Sequence, residues 1–358
     1  MTRRTFLQTT ALASAALVGG QALTLHGATP EPSAARLPRW RGFNLLEKFH
    51  ARRDGNPPFE EADFTLMAAW GFDFARLPMS YLCWATADEP TKLREPELKH
   101  IDQAVELGRK HRVHVNLNLH RAPGYCVNPP KEPLNLWTDS QALDACAFHW
   151  AHFARRFKGV PSDQLSFDLL NEPANIDEAN YVRVAKHLVQ AIHAEDPQRL
   201  VIADGLDYGT KPVTGLVGCD VAQSTRGYQP FRLTHYKASW AEGSSTWPVP
   251  TWPFKSGDTI TDKETLRREN IVPWQDLERK GVGIHVGEWG VYNKTPHAVT
   301  LAWMRDCLDL WKEAGWGWSL WNLRGAFGVL DSDRADVKYE SFQGHKLDAE
   351  MLKVLQAG

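Results

Sequence analysis

The chain has 358 residues, 43 acidic and 41 basic, with a formal net charge of −2. That balance excludes a basic nucleic-acid footprint and any strong electrostatic pull towards an anionic membrane. Hydrophobic residues make up 43%, an ordinary globular level, and the length suits one large domain.

In chain order, Thr2-Arg3-Arg4-Thr5-Phe6-Leu7-Gln8 precedes an apolar, Ala-rich stretch over 11–25. The pattern resembles a twin-arginine export signal over residues 1–28, which implies delivery of a folded protein to the periplasm or the exterior. The stretch is short and contains Gly19, Gly20 and Gln21, so no stable membrane span is expected. Residues 29–38, rich in Pro and Ala, read as a linker, leaving 39–358 as the folded domain.

Eight apolar runs then read as strands: 40–45, 72–78, 113–119, 165–171, 200–203, 221–225, 282–287 and 316–322. Helical patterns lie between most of them, over 60–70, 95–111, 139–157, 177–195, 262–280 and 297–314, with a last helix over 346–355. The 95–111 segment starts with acids and ends on Arg109, Lys110 and His111, as the helix dipole favours. The fifth crossover, 205–218, is short and Gly-rich, room for a turn or two of helix.

Alternating strand and helix implies parallel strands under helical cover. Eight repeats without a G-x-G phosphate fingerprint favour a closed single-domain (β/α)8 barrel over an open doubly wound sheet. Such a barrel takes about 250 residues, so the remainder must lie in insertions. The long segments fall after strands 3, 6 and 8, at the end of the barrel where active sites sit. They hold Tyr125, Trp137, Tyr228, Trp240, Trp247 and Trp252. The fifteen tryptophans are a surplus, of which about half are assigned to the core and the rest to a ligand cleft.

The five cysteines are widely spaced, without a C-x-x-C pair. No zinc site and no redox motif is expected; free thiols are the leading reading and a Cys83–Cys126 bridge the alternative. No metal or cofactor is expected, and the protein is expected to act as a monomer.

Two glutamates close apolar strands. Glu172 ends Leu169-Leu170-Asn171-Glu172-Pro173, and Glu288 ends His285-Val286-Gly287-Glu288-Trp289-Gly290. In one barrel both acids would point into the same mouth, and paired carboxylates in a closed site are the machinery of glycosidic bond cleavage. Arg76 beside Glu288 would favour the anion a nucleophile needs, while apolar walls would keep a proton on Glu172. Asn171 can donate to a sugar 2-hydroxyl, and Tyr228 can hold Glu288 in line. His120 is expected either to bond the sugar or to orient Asn171. His114, inside strand three, is expected to pack rather than react.

These residues resemble glycoside hydrolase family 5, the cellulase family, within the retaining (β/α)8 glycosidases. Asn171-Glu172-Pro173 resembles its acid/base motif and Glu288-Trp289-Gly290 its nucleophile motif. Arg76-Leu77-Pro78 resembles the strand-two arginine, Leu119-His120-Arg121 the strand-three histidine motif, and Trp321 the tryptophan beneath the sugar. The resemblance implies Glu172 and Glu288 as catalytic residues and Arg76, His120, Asn171, Tyr228, Trp289 and Trp321 as substrate contacts. One departure stands out: where the family has His-x-Tyr after strand six, this chain has Arg226-Gly227-Tyr228. Arg226 and nearby His235 are therefore added to the binding set. The implied activity is endo-β-1,4-glucanase on an oligo- or polysaccharide. An exo-β-glucanase or β-mannanase is the alternative, and a metal-dependent hydrolase or a non-catalytic glycan-binding barrel is the reading from another class.

Overall fold

A computed structural model describes residues 31–358; the export-signal reading lies outside them. Eight parallel strands pair in the order β2 (Phe74–Ser80), β1 (Arg41–Asn44), β8 (Gly317–Leu320), β7 (Ile284–Trp289), β6 (Ala222–Gly227), β5 (Val201–Asp204), β4 (Leu165–Asp168) and β3 (His114–Ala122). Pairing of β3 with β2 closes the barrel. Every strand expected from the apolar runs is present, within a few residues at each end. The strands are buried on both faces, so their sequences read as continuous apolar runs rather than as alternation. At Gly42 on β1 a side chain would run into the Phe74 carbonyl of β2.

Helices α1 (Glu61–Ala69), α2 (Glu95–His111), α3 (Ser140–Arg156) and α4 (Glu178–Glu195) follow the first four strands. Asp139 and Asp177 cap α3 and α4 by accepting from backbone N–H groups. The fifth crossover carries only a short turn at Leu206–Gly209 and a 3-10 turn at Thr214–Leu216, as its glycines indicate. The single helix expected over 262–280 is instead composite. A turn at Lys263–Leu266 passes through a π-helical stretch, Arg267–Ile271, into α5 (Val272–Glu278). Pro273, in the first turn of α5, has no N–H to continue an α-helical ladder. Helix α6 (His297–Ala314) matches its expected span. The expected last helix loses its start to a hairpin of Glu340–Phe342 with His345–Leu347, because Asp348 caps α7 (Ala349–Ala357) by accepting from the Met351 N–H.

Inside the barrel the filling changes along the axis. Trp40, Phe74, His114 and His285 form an aromatic floor, with Trp40 stacked on His114 at 3.7 Å and Phe74 tilted against His285 at 4.4 Å. His114 also bonds Ser166 Oγ and the Asp163 carbonyl, so it is a packing residue. Above this floor, towards the strand C-termini, the interior becomes charged. Ten of the fifteen tryptophans are buried, more than the half assigned to the core from composition. Trp252 donates to Asp306 of α6, and Trp247 lies under the Arg232 guanidinium, so both fasten their own loop. All five cysteines are free. No helix among the described residues is long and apolar enough to cross a membrane.

Candidate active site

The charged end of the barrel is organised by two buried arginines. Arg76 on β2 donates from Nε to Asp168 at 2.8 Å and from Nη1 to Asn44 at 3.1 Å and Glu288 Oε1 at 2.6 Å. Its Nη2 donates to Asn171 Oδ1 at 2.9 Å. Arg226 on β6 donates from Nε to Glu172 Oε1 at 3.0 Å and from Nη2 to Asn171 Oδ1 at 3.0 Å. It forms a two-pronged pair with Asp204, and its Nη2 lies 3.4 Å from Glu288 Oε1. One guanidinium therefore touches both strand-end glutamates. Glu172 and Glu288 lie 116 positions apart in the chain and meet across a single gap.

Local backbone features aim these groups. In β7 the register slips between Val286, opposite Thr225, and Glu288, opposite Arg226. Gly287 is the extra residue of this bulge. Strand side chains alternate between faces, so without the bulge Glu288 would point away from the face that Arg226 uses. Gly287 also lies against Ser224 and Arg226, where a side chain would not fit. A second bulge, between Met79 and Ser80 of β2 against β3, falls at His120. Glu172 has φ of +50°, rare for a residue with a side chain. Three bonds hold it there. Its N–H donates to Asp204 Oδ2 at 2.8 Å, its carbonyl accepts from Tyr125 OH at 2.7 Å, and the same hydroxyl accepts from the Ala174 N–H at 3.0 Å.

Charge arithmetic constrains the protons. Arg76 and Arg226 carry two positive charges against the four carboxyls of Asp168, Asp204, Glu172 and Glu288. A buried excess of negative charge is costly, so protons are retained. Burial, and then the charge of Glu288, push Glu172 up to about 8, against the opposing pull of Arg226. Burial and Asp204 push Asp168 up to about 7.

The other sequence-derived residues divide. Tyr228 donates to Glu288 Oε2 at 3.3 Å, and Trp321 lies half-buried at the mouth, stacked on His120 at 5.9 Å and edge-on to Phe49. His120 bonds Asn128, not Asn171, through Nε2 at 2.8 Å; burial, and then Arg76, lower it to about 3, so it is neutral. Asn171 is oriented by the two arginines instead, which leaves its Nδ2 a buried donor with no protein partner among the described residues. His235 stacks on Phe231 at 4.1 Å and faces the Tyr228 ring at 5.2 Å, with no hydrogen bond to either glutamate. Trp289 does not belong to a binding surface. It is fully buried behind the barrel wall against Trp303, Trp311 and Trp318, because strand alternation sends it to the face opposite Glu288.

The sequence reading gives no role to Asp204, Asp168 or Asn44, and it names Tyr125 only as a loop aromatic. A signal was present for Asp204, a third carboxylate ending an apolar strand, but the run before it is short and no known motif follows.

Comparison with known proteins places this geometry. The family model described as cellulase (glycosyl hydrolase family 5) matches residues 33–326. Endoglucanase C of Acetivibrio thermocellus is 25% identical over 305 residues, covering 78% of this chain and 88% of that protein. Cellodextrinase A of Ruminococcus flavefaciens is 23% identical over 253 residues, covering 69% of this chain and 73% of that protein. A crystal structure described as a glycoside hydrolase superposes with a TM-score of 0.85 at 38% identity, covering 89% of this chain and 99% of that one. Endoglucanase Cel5A from Thermotoga maritima shares the fold, with a TM-score of 0.72 at 22% identity over 88% of this chain and 96% of that one. The chain is a glycoside hydrolase and belongs to glycosyl hydrolase family 5, the cellulase family.

Proposed function

We propose that this hydrolase cleaves β-1,4-linked glucan chains internally by a retaining double displacement. The observation that supports it best is the single Arg226 guanidinium in contact with both Glu172 and Glu288. Glu288 attacks the anomeric carbon while Glu172 gives its proton to the departing glycosidic oxygen. Water, deprotonated by Glu172, then releases the sugar from Glu288. A retaining enzyme needs its carboxyls about 5–5.5 Å apart, and two acids gripping one guanidinium suit that spacing. Arg76 and Tyr228 hold the two oxygens of Glu288, so that the attacking carboxylate is oriented before substrate arrives. In this reading Asn171, whose Nδ2 has no protein partner among the described residues, donates to the sugar 2-hydroxyl, and Trp321 stacks beneath the ring. Internal cleavage is supported by the names of the endoglucanases to which the chain is similar, and the 1,4-linkage by membership of the cellulase family.

Incubation with a 2-fluoro cellobioside bearing a good leaving group tests this directly. A stable adduct on the peptide containing Glu288, with retention of configuration in the products, is expected. Full activity in Glu288→Gln would remove the assignment. Product sizing on soluble glucan distinguishes internal from end-wise cleavage: a rapid fall in chain length is expected.

We further infer that the chain is exported, on the strength of Arg3-Arg4 ahead of the apolar segment. Replacing both arginines with lysine is expected to retain a fused reporter in the cytoplasm; unchanged export would refute the twin-arginine route.

A further inference from the structure

Arg226 creates a difficulty for the acid it touches. A guanidinium keeps its charge at every working pH, and its Nε sits 3.0 Å from Glu172 Oε1. A general acid must hold its proton until the leaving oxygen takes it, and a cation at hydrogen-bond distance favours the carboxylate instead. Some group has to cancel that cation.

Asp204 is placed to do so. Its side chain is fully buried at the end of β5, and both of its oxygens pair with Arg226. Asp204 Oδ2 also accepts the Glu172 N–H at 2.8 Å, one of the bonds that holds the unfavourable +50° φ. The same carboxylate thus grips the main chain of Glu172 and the cation beside its side chain. We propose that Asp204 is a positioning residue for Glu172: it neutralises Arg226, so that Glu172 keeps its proton, and it fixes the backbone turn that aims the carboxyl.

The charged and titratable groups around Glu172 agree with this division of labour. Arg226 from β6 is the cation in direct contact. Arg76 from β2 is committed to Asp168 on β4 and to Glu288 on β7. His120 from β3 is neutral, and the Tyr228 hydroxyl is held protonated by burial and Glu288. Glu288 itself faces Glu172 and repels its ionised form. Asp204 is therefore the group whose charge can be removed to release Arg226 without changing either reacting carboxyl.

The inference rests on Glu172 being the general acid, and the experiment separates the two. The basic limb of the kcat/KM–pH profile is measured on a cello-oligosaccharide for the wild type, Asp204→Asn, Arg226→Gln and Glu172→Gln. Asparagine keeps an acceptor for the Glu172 N–H but loses the charge. Asp204→Asn is expected to move the limb down by at least one pH unit. Its activity on a dinitrophenyl glycoside, which needs little protonation, should fall at least tenfold less than on the oligosaccharide. Arg226→Gln is expected to move the limb upward, and it supplies the answer if Asp204→Asn does not fold. A loss of activity with an unmoved limb in both variants would reduce Asp204 to a structural residue and overturn the inference. Persistence of the basic limb in Glu172→Gln would instead overturn the general-acid assignment itself.

Discussion

Arg76 Nη1 and Glu288 Oε1 lie 2.6 Å apart at the centre of the barrel mouth, with both side chains almost entirely shielded from water. The same guanidinium also serves Asp168, Asn44 and Asn171. Removing one partner of a buried charge pair leaves the other uncompensated, at a cost of about 3–5 kcal/mol. Arg76→Ala is therefore expected to lose stability of that order in urea unfolding, together with most activity. Arg76→Lys keeps the charge but lacks the planar fork, and should fall between the two. Wild-type turnover in Arg76→Lys would show that the fork is not needed.

General acid catalysis contributes roughly 10²–10⁴ in rate. Glu172→Gln is expected to lose that much on cello-oligosaccharides and far less on aryl glycosides with good leaving groups. Equal losses on both substrates, measured in the bond-breaking step, would contradict the role given to Glu172.

The raised pKa of Glu172 also carries a stability consequence. An ordinary glutamate titrates near 4.5, whereas here the folded protein holds the proton up to about 8. The folded state thus binds this proton more tightly than the unfolded chain does. Its contribution to stability is fully present below the ordinary value and is lost as pH rises through the folded one. Glutamine cannot ionise and can still accept from Arg226. Glu172→Gln is accordingly expected to gain thermal stability relative to wild type between pH 5 and pH 8. Parallel melting curves across that range would count against the raised value.

Gly287 offers a test of the bulge. A methyl group there would approach Arg226 Nη1 within 2.9 Å and collide with Ser224 Oγ. Gly287→Ala is expected to destabilise the protein by about 1–3 kcal/mol, as overpacking does, and to lower kcat by displacing Glu288 and Arg226. A variant with normal melting and normal kcat would mean that the bulge can relax.

The barrel was legible because each strand is a run of apolar residues closed by a polar one, and helix signals such as the ends of 95–111 lie between them. The spacing over 262–280 predicts one continuous helix because apolar periodicity persists through Pro273, while the backbone ladder there changes to a π-helical stretch. Trp289 is implied as a substrate contact by the resemblance of Glu288-Trp289-Gly290 to the family's nucleophile motif. A β-strand sends adjacent residues to opposite faces, and Trp289 took the buried one.

The linear sequence alone determined that strands end in Glu172 and Glu288, and with them the family and its chemistry. Only the tertiary structure decided how the charges are apportioned. Arg226 on β6 could have served either glutamate or neither; closure of the barrel brings it to both, and to Asp204 on β5. Such pairings depend on distances of a few ångströms between strands remote in sequence, and Coulomb energy in a dry interior depends steeply on those distances. No local pattern of residues encodes them.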